Sequence, residues 1–195
     1  MRIAASQVPG AMCVASVALD GAGATLATAS SAAGVCLFDA RAPGGAAAWL
    51  PAPGACHVAL DAPGRACVAL GGGALRRWRL MDRALAAAAP ADAAAFALSP
   101  DGALALLPRA AGVRVLRFAG DTSGANAAAL AGMRTVLDWE DPGARRAATS
   151  AVAWGSGGDG DALLYSGDDG GGVVAWGCDS GARELHLSTE AALLR

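Results

Sequence analysis

The feature that most constrains the fold is an internal repeat, in which a short alternating apolar segment leads into a turn that ends in glycine. The copies begin at positions 17, 58, 96 and 152, with the sequences Val-Ala-Leu-Asp, Val-Ala-Leu-Asp, Phe-Ala-Leu-Ser and Val-Ala-Trp. Alternation with a period of two predicts β-strands, and the glycine turns predict hairpins. The chain is therefore expected to be a series of similar antiparallel units.

Each copy continues into two further apolar segments separated by a turn-prone stretch. The second segments are 25–29, 66–70, 104–107 and 163–166, and the third are 35–39, 75–79, 113–117 and 173–177. The third segments each carry a large residue, at Phe38, Trp78, Leu116 and Trp176. Their first two intervals match a repeat of about 40–45 residues, and the last interval is longer by roughly 20 residues.

Three such strands cannot bury both faces of their own sheet. Stacking four-stranded sheets around an axis buries the faces and leaves only short edges. The sequence therefore predicts an all-β chain, a β-propeller of about four blades with four antiparallel strands each. Outer strands are expected at 46–50 and 184–188, whereas the alanine-rich stretch 80–89 fits either a strand or a helix.

Several of these residues resemble the WD40-repeat family. Residues 99–102 (Ser-Pro-Asp-Gly) match the turn after the family's first strand, and Phe38-Asp39 stands where the Trp-Asp dipeptide belongs. Ser166, Trp176 and either Asp168 or Asp169 match three members of the family's buried hydrogen-bond network. The resemblance assigns structural repeat positions to Asp39, Trp78, Asp101, Ser166, Asp168 and Trp176.

The repeats also depart from the family pattern. No Gly-His dipeptide precedes any first strand, and the terminal Asp, kept at Asp39, is replaced by Arg79, Arg117 and Gly177. The full network is therefore not expected in any blade. Because the resemblance implies about seven blades, the chain is expected to be a partial propeller, as a fragment or completed by a partner. One domain (1–195) is predicted, with blades at 11–50, 52–89, 93–137 and 150–188.

The extra residues of the longest interval form a predicted insertion at 119–149. Within it, 127–137 is compatible with a short helix, and Trp139 stands among acidic residues ahead of Arg145 and Arg146. Long loops on a rigid scaffold often carry function, so Trp139, Arg145 and Arg146 are candidate partner contacts. The alternative is a variable surface loop with Trp139 packed against its own blade.

Composition bears on the partners. Hydrophobic residues make up 54% of the chain and charged residues 16%, which supports a packed core rather than disorder. The net charge is −2, and direct binding of nucleic acid needs a basic surface, so we do not expect direct contact with nucleic acid. The arginines at 76, 77 and 79 are expected to lie on a solvent-facing strand.

Cysteine usage points to a compartment. The five cysteines are an odd number without a CxxC pair, which predicts reduced thiols rather than disulfides or a zinc site. We therefore expect a cytoplasmic or nuclear, intracellular protein. No clean signal-peptide segment and no apolar run of membrane-spanning length occurs in the sequence.

Three patterns mimic chemical sites. Residues 155–160 satisfy GxGxxG, but the strand-like segment that follows does not supply the helix that a dinucleotide site needs. Asp159, Asp161, Asp168 and Asp169 crowd two turns without EF-hand spacing. His57 and His186 lie on predicted strands without an identifiable nucleophile. We expect no catalytic, cofactor-binding or metal-binding residues.

The sequence therefore favours a non-catalytic protein–protein interaction scaffold or complex subunit. This expectation rests partly on the fold, which does not by itself fix function. Two alternatives stay open. One is a propeller enzyme of the metal-dependent hydrolase type, and the other is a nucleic-acid-associated subunit that uses arginines near Arg76 and Arg145.

Overall fold

Four separate sheets make up the described part of the chain. The computed structural model describes residues 13–42, 48–110, 112–118, 132–140, 148–156, 162–177 and 183–188. Within these ranges sixteen strands form four antiparallel sheets of four strands, and no helix is present. In each sheet the strands are hydrogen-bonded in their order along the chain, as in a meander. The predicted all-β class with four-stranded antiparallel sheets is confirmed.

The first two sheets lie in one structural unit. Sheet 1 consists of β1 (Ser16–Leu19), β2 (Thr25–Ser30), β3 (Gly34–Asp39) and β4 (Ala48–Leu50). Sheet 2 consists of β5 (Ala55–Leu60), β6 (Ala66–Gly71), β7 (Ala74–Arg79) and β8 (Leu85–Pro90).

The other two sheets belong mainly to a second unit. Sheet 3 consists of β9 (Ala97–Leu98), β10 (Leu104–Arg109), β11 (Gly112–Phe118) and β12 (Met133–Glu140). Sheet 4 consists of β13 (Thr149–Ser156), β14 (Ala162–Asp168), β15 (Gly172–Gly177) and β16 (Arg183–Ser188).

The alternation of side chains along the strands decides which face of each sheet is packed. In the first unit, one face of sheet 1 contributes Ala27, Ala29 and Val35 to a core that also contains Val58 and Trp78 of sheet 2. The two sheets are also tied by the backbone N–H of Val58, which donates to the Ser16 hydroxyl at 3.2 Å. Small alanine side chains thus fill positions where a bulkier apolar residue would be expected.

The second unit is built in the same way. Leu106 and Val115 of sheet 3 share a core with Leu164, Val174 and Trp176 of sheet 4. The indole N–H of Trp154 donates to the carbonyl oxygen of Ala97 at 3.0 Å, which links β13 to β9. In both units, therefore, consecutive sheets pack face to face, as successive blades of a propeller do.

The turns after the first strands require glycine. Gly64 has a φ of +66°, and a Cβ there would lie 2.7 Å from Oδ2 of Asp20, in the preceding repeat. Gly102 has a φ of +73°, and its Cβ would lie 2.6 Å from the Cβ of Asp61, again one repeat earlier. Both the left-handed backbone and the close approach exclude larger residues. The repeated glycine therefore serves the contact between neighbouring turns as well as the turn itself.

Two ambiguous segments prove to be strands. The alanine-rich stretch 80–89 contains the start of β8, which pairs with β7 from Ala74↔Pro90 to Trp78↔Leu85. The helix considered at 127–137 is wrong for residues 133–137, which belong to β12, while 127–131 fall outside the described residues. On β12, Val136, Leu137 and Trp139 pack against the core of the second unit, and this burial overrides local helix propensity.

Candidate functional site

Ser166 and Trp176 meet inside sheet 4. The β14–β15 register pairs Leu164 with Trp176 and Ser166 with Val174, so the two side chains lie on one face. The indole N–H of Trp176 donates to the hydroxyl oxygen of Ser166 at 2.9 Å, and both residues are buried. The bond satisfies a donor that water cannot reach. The structure thus brings together two residues that the WD40 resemblance singled out.

Asp168, the third predicted member of that network, serves the turn between β14 and β15. Its Oδ1 accepts the backbone N–H of Gly172 at 2.7 Å. Asp169 is exposed, and its backbone N–H donates to the carbonyl of Ala148. These are turn-forming roles of aspartate.

The corresponding pair in sheet 1 does not form this hydrogen bond. Leu26 pairs with Phe38 and Thr28 with Cys36, so Thr28 and Phe38 occupy the places of Ser166 and Trp176. The side chain of Phe38 has no N–H to donate, and the buried Thr28 hydroxyl has no hydrogen-bond partner within the described ranges. The phenyl ring of Phe38 therefore cannot give Thr28 the bond that the Trp176 indole gives Ser166.

In sheet 2 the tryptophan is kept without its partner. Trp78 pairs with Cys67 and is 1% exposed, and it packs into the core shared with sheet 1. Ala69 stands where Ser166 stands in sheet 4. Trp78 is therefore a packing residue.

Asp39 and Asp101 are exposed turn residues. The Oδ1 of Asp39 accepts the backbone N–H of Arg41 at 2.9 Å, and that of Asp101 accepts the backbone N–H of Ala103 at 3.0 Å. Both bonds span two residues, the geometry by which aspartate mimics a turn.

Sequence reasoning missed a set of buried polar residues that end the first strand of three repeats. Asp20 accepts the backbone N–H of Ala24 at 2.7 Å, and Asp61 accepts those of Arg65 and Ala66 at 2.6 and 2.8 Å. The Ser99 hydroxyl oxygen accepts the N–H of Leu104 at 2.9 Å. The signal was the recurrence of Asp or Ser directly after each apolar triplet.

The environment of Asp20 favours its charged form. Burial by itself would raise the pKa of Asp20, but the backbone N–H groups of Ala24 and Thr25 outweigh it, together with the Thr25 hydroxyl and the charge of Arg41. The net result holds the pKa of Asp20 below its ordinary value. The turn that follows β1 is therefore fixed by a carboxylate rather than by a carboxylic acid.

The candidate contact residue Trp139 is half-buried on β12. Its ring stacks on that of Trp176, with centroids 5.7 Å apart and planes 20° apart. The neighbouring Asp138 pairs with Arg109 at 2.8 Å and Arg114 at 3.0 Å on its own sheet. Trp139 thus packs on the next sheet rather than only on its own. Arg145 and Arg146 lie outside the described residues.

Arg76, Arg77 and Arg79 each contact other residues of this chain. Arg76 donates to the carbonyl of Gly71 at 2.8 Å, and Arg79 forms an ion pair with Asp82 at 2.6 Å. The Arg77 guanidinium lies 5.1 Å from the ring centroid of Phe118, a cation–π distance. These arginines hold strands and turns in place.

The glycine-rich stretch at 155–160 and the cluster of aspartates do not form a cofactor site or a metal site in the described residues. After the glycine-rich stretch, β14 is a strand, whereas a dinucleotide site needs a helix, and residues 157–161, including Asp159 and Asp161, fall outside the described residues. Within the described ranges no group of three or more His, Cys, Asp or Glu side chains is suited to hold a metal ion. No helix in these ranges is long and apolar enough to cross a membrane.

The remaining titratable groups are buried to different degrees. Partial burial lowers the pKa of His57, on β5, while the side chain of His186 is outside the described part. Cys13, Cys36, Cys56 and Cys67 are free thiols, and Cys178 is not described. Burial, with the nearby charge of Asp61, raises the pKa of Cys67 to about 12, so this thiol stays protonated.

The four sheets, and their face-to-face packing within each unit, define the class: the chain has the fold of a WD40-type β-propeller, with four blades (sheets 1 to 4) in the described ranges. The predicted resemblance is thereby confirmed at the level of the fold.

Solved structures similar to this chain are propellers. Saccharomyces cerevisiae Sqt1 superposes with a TM-score of 0.70 at 11% identity, over 93% of this chain and 50% of that one. The Cps50 (Swd1) β-propeller domain of Myceliophteria thermophila gives 0.69 at 14% identity, over 90% and 55%. The Dos1 propeller gives 0.63 at 13%, over 89% and 49%.

The chain thus spans about half the length of the solved chains that it resembles. No protein-family profile and no curated protein sequence matches it.

Proposed function

We propose that this chain is a non-catalytic scaffold that binds other proteins as a subunit of a larger assembly. The observation that carries the proposal is a set of exposed apolar side chains on the first and last strands of blade 1. Val17 and Leu19 on β1 are 59% and 55% exposed, and Trp49 on β4 is 43% exposed. Exposed apolar clusters on a rigid sheet mark interaction surfaces.

These three residues share one face of the sheet. Val17 pairs with Thr28, Thr28 with Cys36 and Cys36 with Trp49, which forms one row across the four strands. Leu19 lies two residues from Val17 and therefore points to the same side. The opposite face, with Ala27 and Val35, packs on sheet 2.

We further propose that a partner contributes additional blades, as another protein or a second copy of this chain. Two observations support this. The chain spans about half the length of similar solved propellers, and Val17, Leu19 and Trp49 on blade 1 are exposed apolar side chains of the kind that pack between sheets. An intracellular location is part of the proposal, supported by the four free thiols.

The experiment is purification of the tagged 195-residue chain with its bound proteins, followed by reconstitution from purified components. The proposal expects one partner at fixed stoichiometry by light scattering, and substantially weaker association for Val17→Asp. Leu85→Asp, at a 45% exposed position on β8, is the matched control and should bind normally. A monomer without partner that turns over a substrate would overturn the scaffold role.

A further inference from the structure

We draw no further inference here: the strongest candidate, the apolar face of blade 1 on which Val17, Leu19 and Trp49 are exposed while Thr28 and Cys36 between them are buried, belongs to the surface already described, and nothing in the structure shows what covers it.

Discussion

The indole nitrogen of Trp176 lies 2.9 Å from the hydroxyl oxygen of Ser166, and both residues are buried within blade 4. Thr28 and Phe38 hold the same two positions in blade 1, where the hydroxyl remains without a donor or acceptor in the described structure. The two blades therefore provide a natural comparison between a satisfied and an unsatisfied version of one contact.

Ser166→Ala should destabilise the chain, because it leaves the buried Trp176 N–H without its acceptor. The expected loss is about 1–3 kcal/mol in the free energy of unfolding, measured by urea denaturation. Ser166→Thr keeps a hydroxyl at the same place and should lose much less. Equal stability of the alanine and wild-type proteins would contradict this role of the bond.

Thr28→Val should have the opposite effect. It replaces a buried orphan hydroxyl by a methyl group of similar size, so the free energy of unfolding should rise by about 1 kcal/mol. Thr25→Val is the matched control, since the Thr25 hydroxyl bonds Asp20 and its loss should destabilise. Destabilisation by Thr28→Val would show that its hydroxyl is satisfied in solution.

Gly64→Ala should cost more than Gly23→Ala, although both glycines have a φ of +66°. An alanine Cβ at position 23 meets nothing within 4 Å, so only the backbone penalty of about 1–2 kcal/mol applies. At position 64 it would approach Asp20 Oδ2 to 2.7 Å, which adds about 1–3 kcal/mol of overpacking. Thermal unfolding of both variants measures the difference, and equal losses would refute the turn-to-turn contact.

Asp20 should make the free energy of unfolding depend on pH in the acid range. Because its folded pKa is lowered, its contribution is fully present above the ordinary value of 3.8 and is lost as the pH falls through the lower folded value. Asp20→Asn should therefore be less stable than wild type at neutral pH, and the gap should narrow below pH 3.8. A gap that stays constant across this acid range would assign the loss to packing instead of charge.

The repeated strands were predictable because their signal is local. Val17, Val58 and Val152 each open a segment whose alternation is visible in the sequence, and each lies in the first strand of a sheet. The outer strand β12 was not predictable, because Trp139 and Val136 gain their burial from a core that includes another sheet. In β8, pairing with β7 decides the conformation of alanines that suit a helix equally well.

The candidate sites were less accessible to sequence reasoning. Ser166 and Trp176 could be paired through the family resemblance, whereas the stacking of Trp139 on Trp176 depends on how two sheets pack. The open cavity that Leu37, Gly64 and Leu80 help to line draws its residues from several separate segments of the chain. The positive φ of Arg83 leaves no trace in the residue types of its loop, since glycine or asparagine would have been expected there.

The contacts from Asp20 to Gly64 and from Asp61 to Gly102 are the same contact made one repeat further on. Repeats 1 and 2 thus each supply an aspartate, and repeats 2 and 3 each supply the glycine that lies against the aspartate of the preceding repeat. A tandem duplication of repeat 2, which has both the aspartate and the glycine, would copy both residues of this contact. The chain can in this way grow by copying, without any new complementary surface having to evolve.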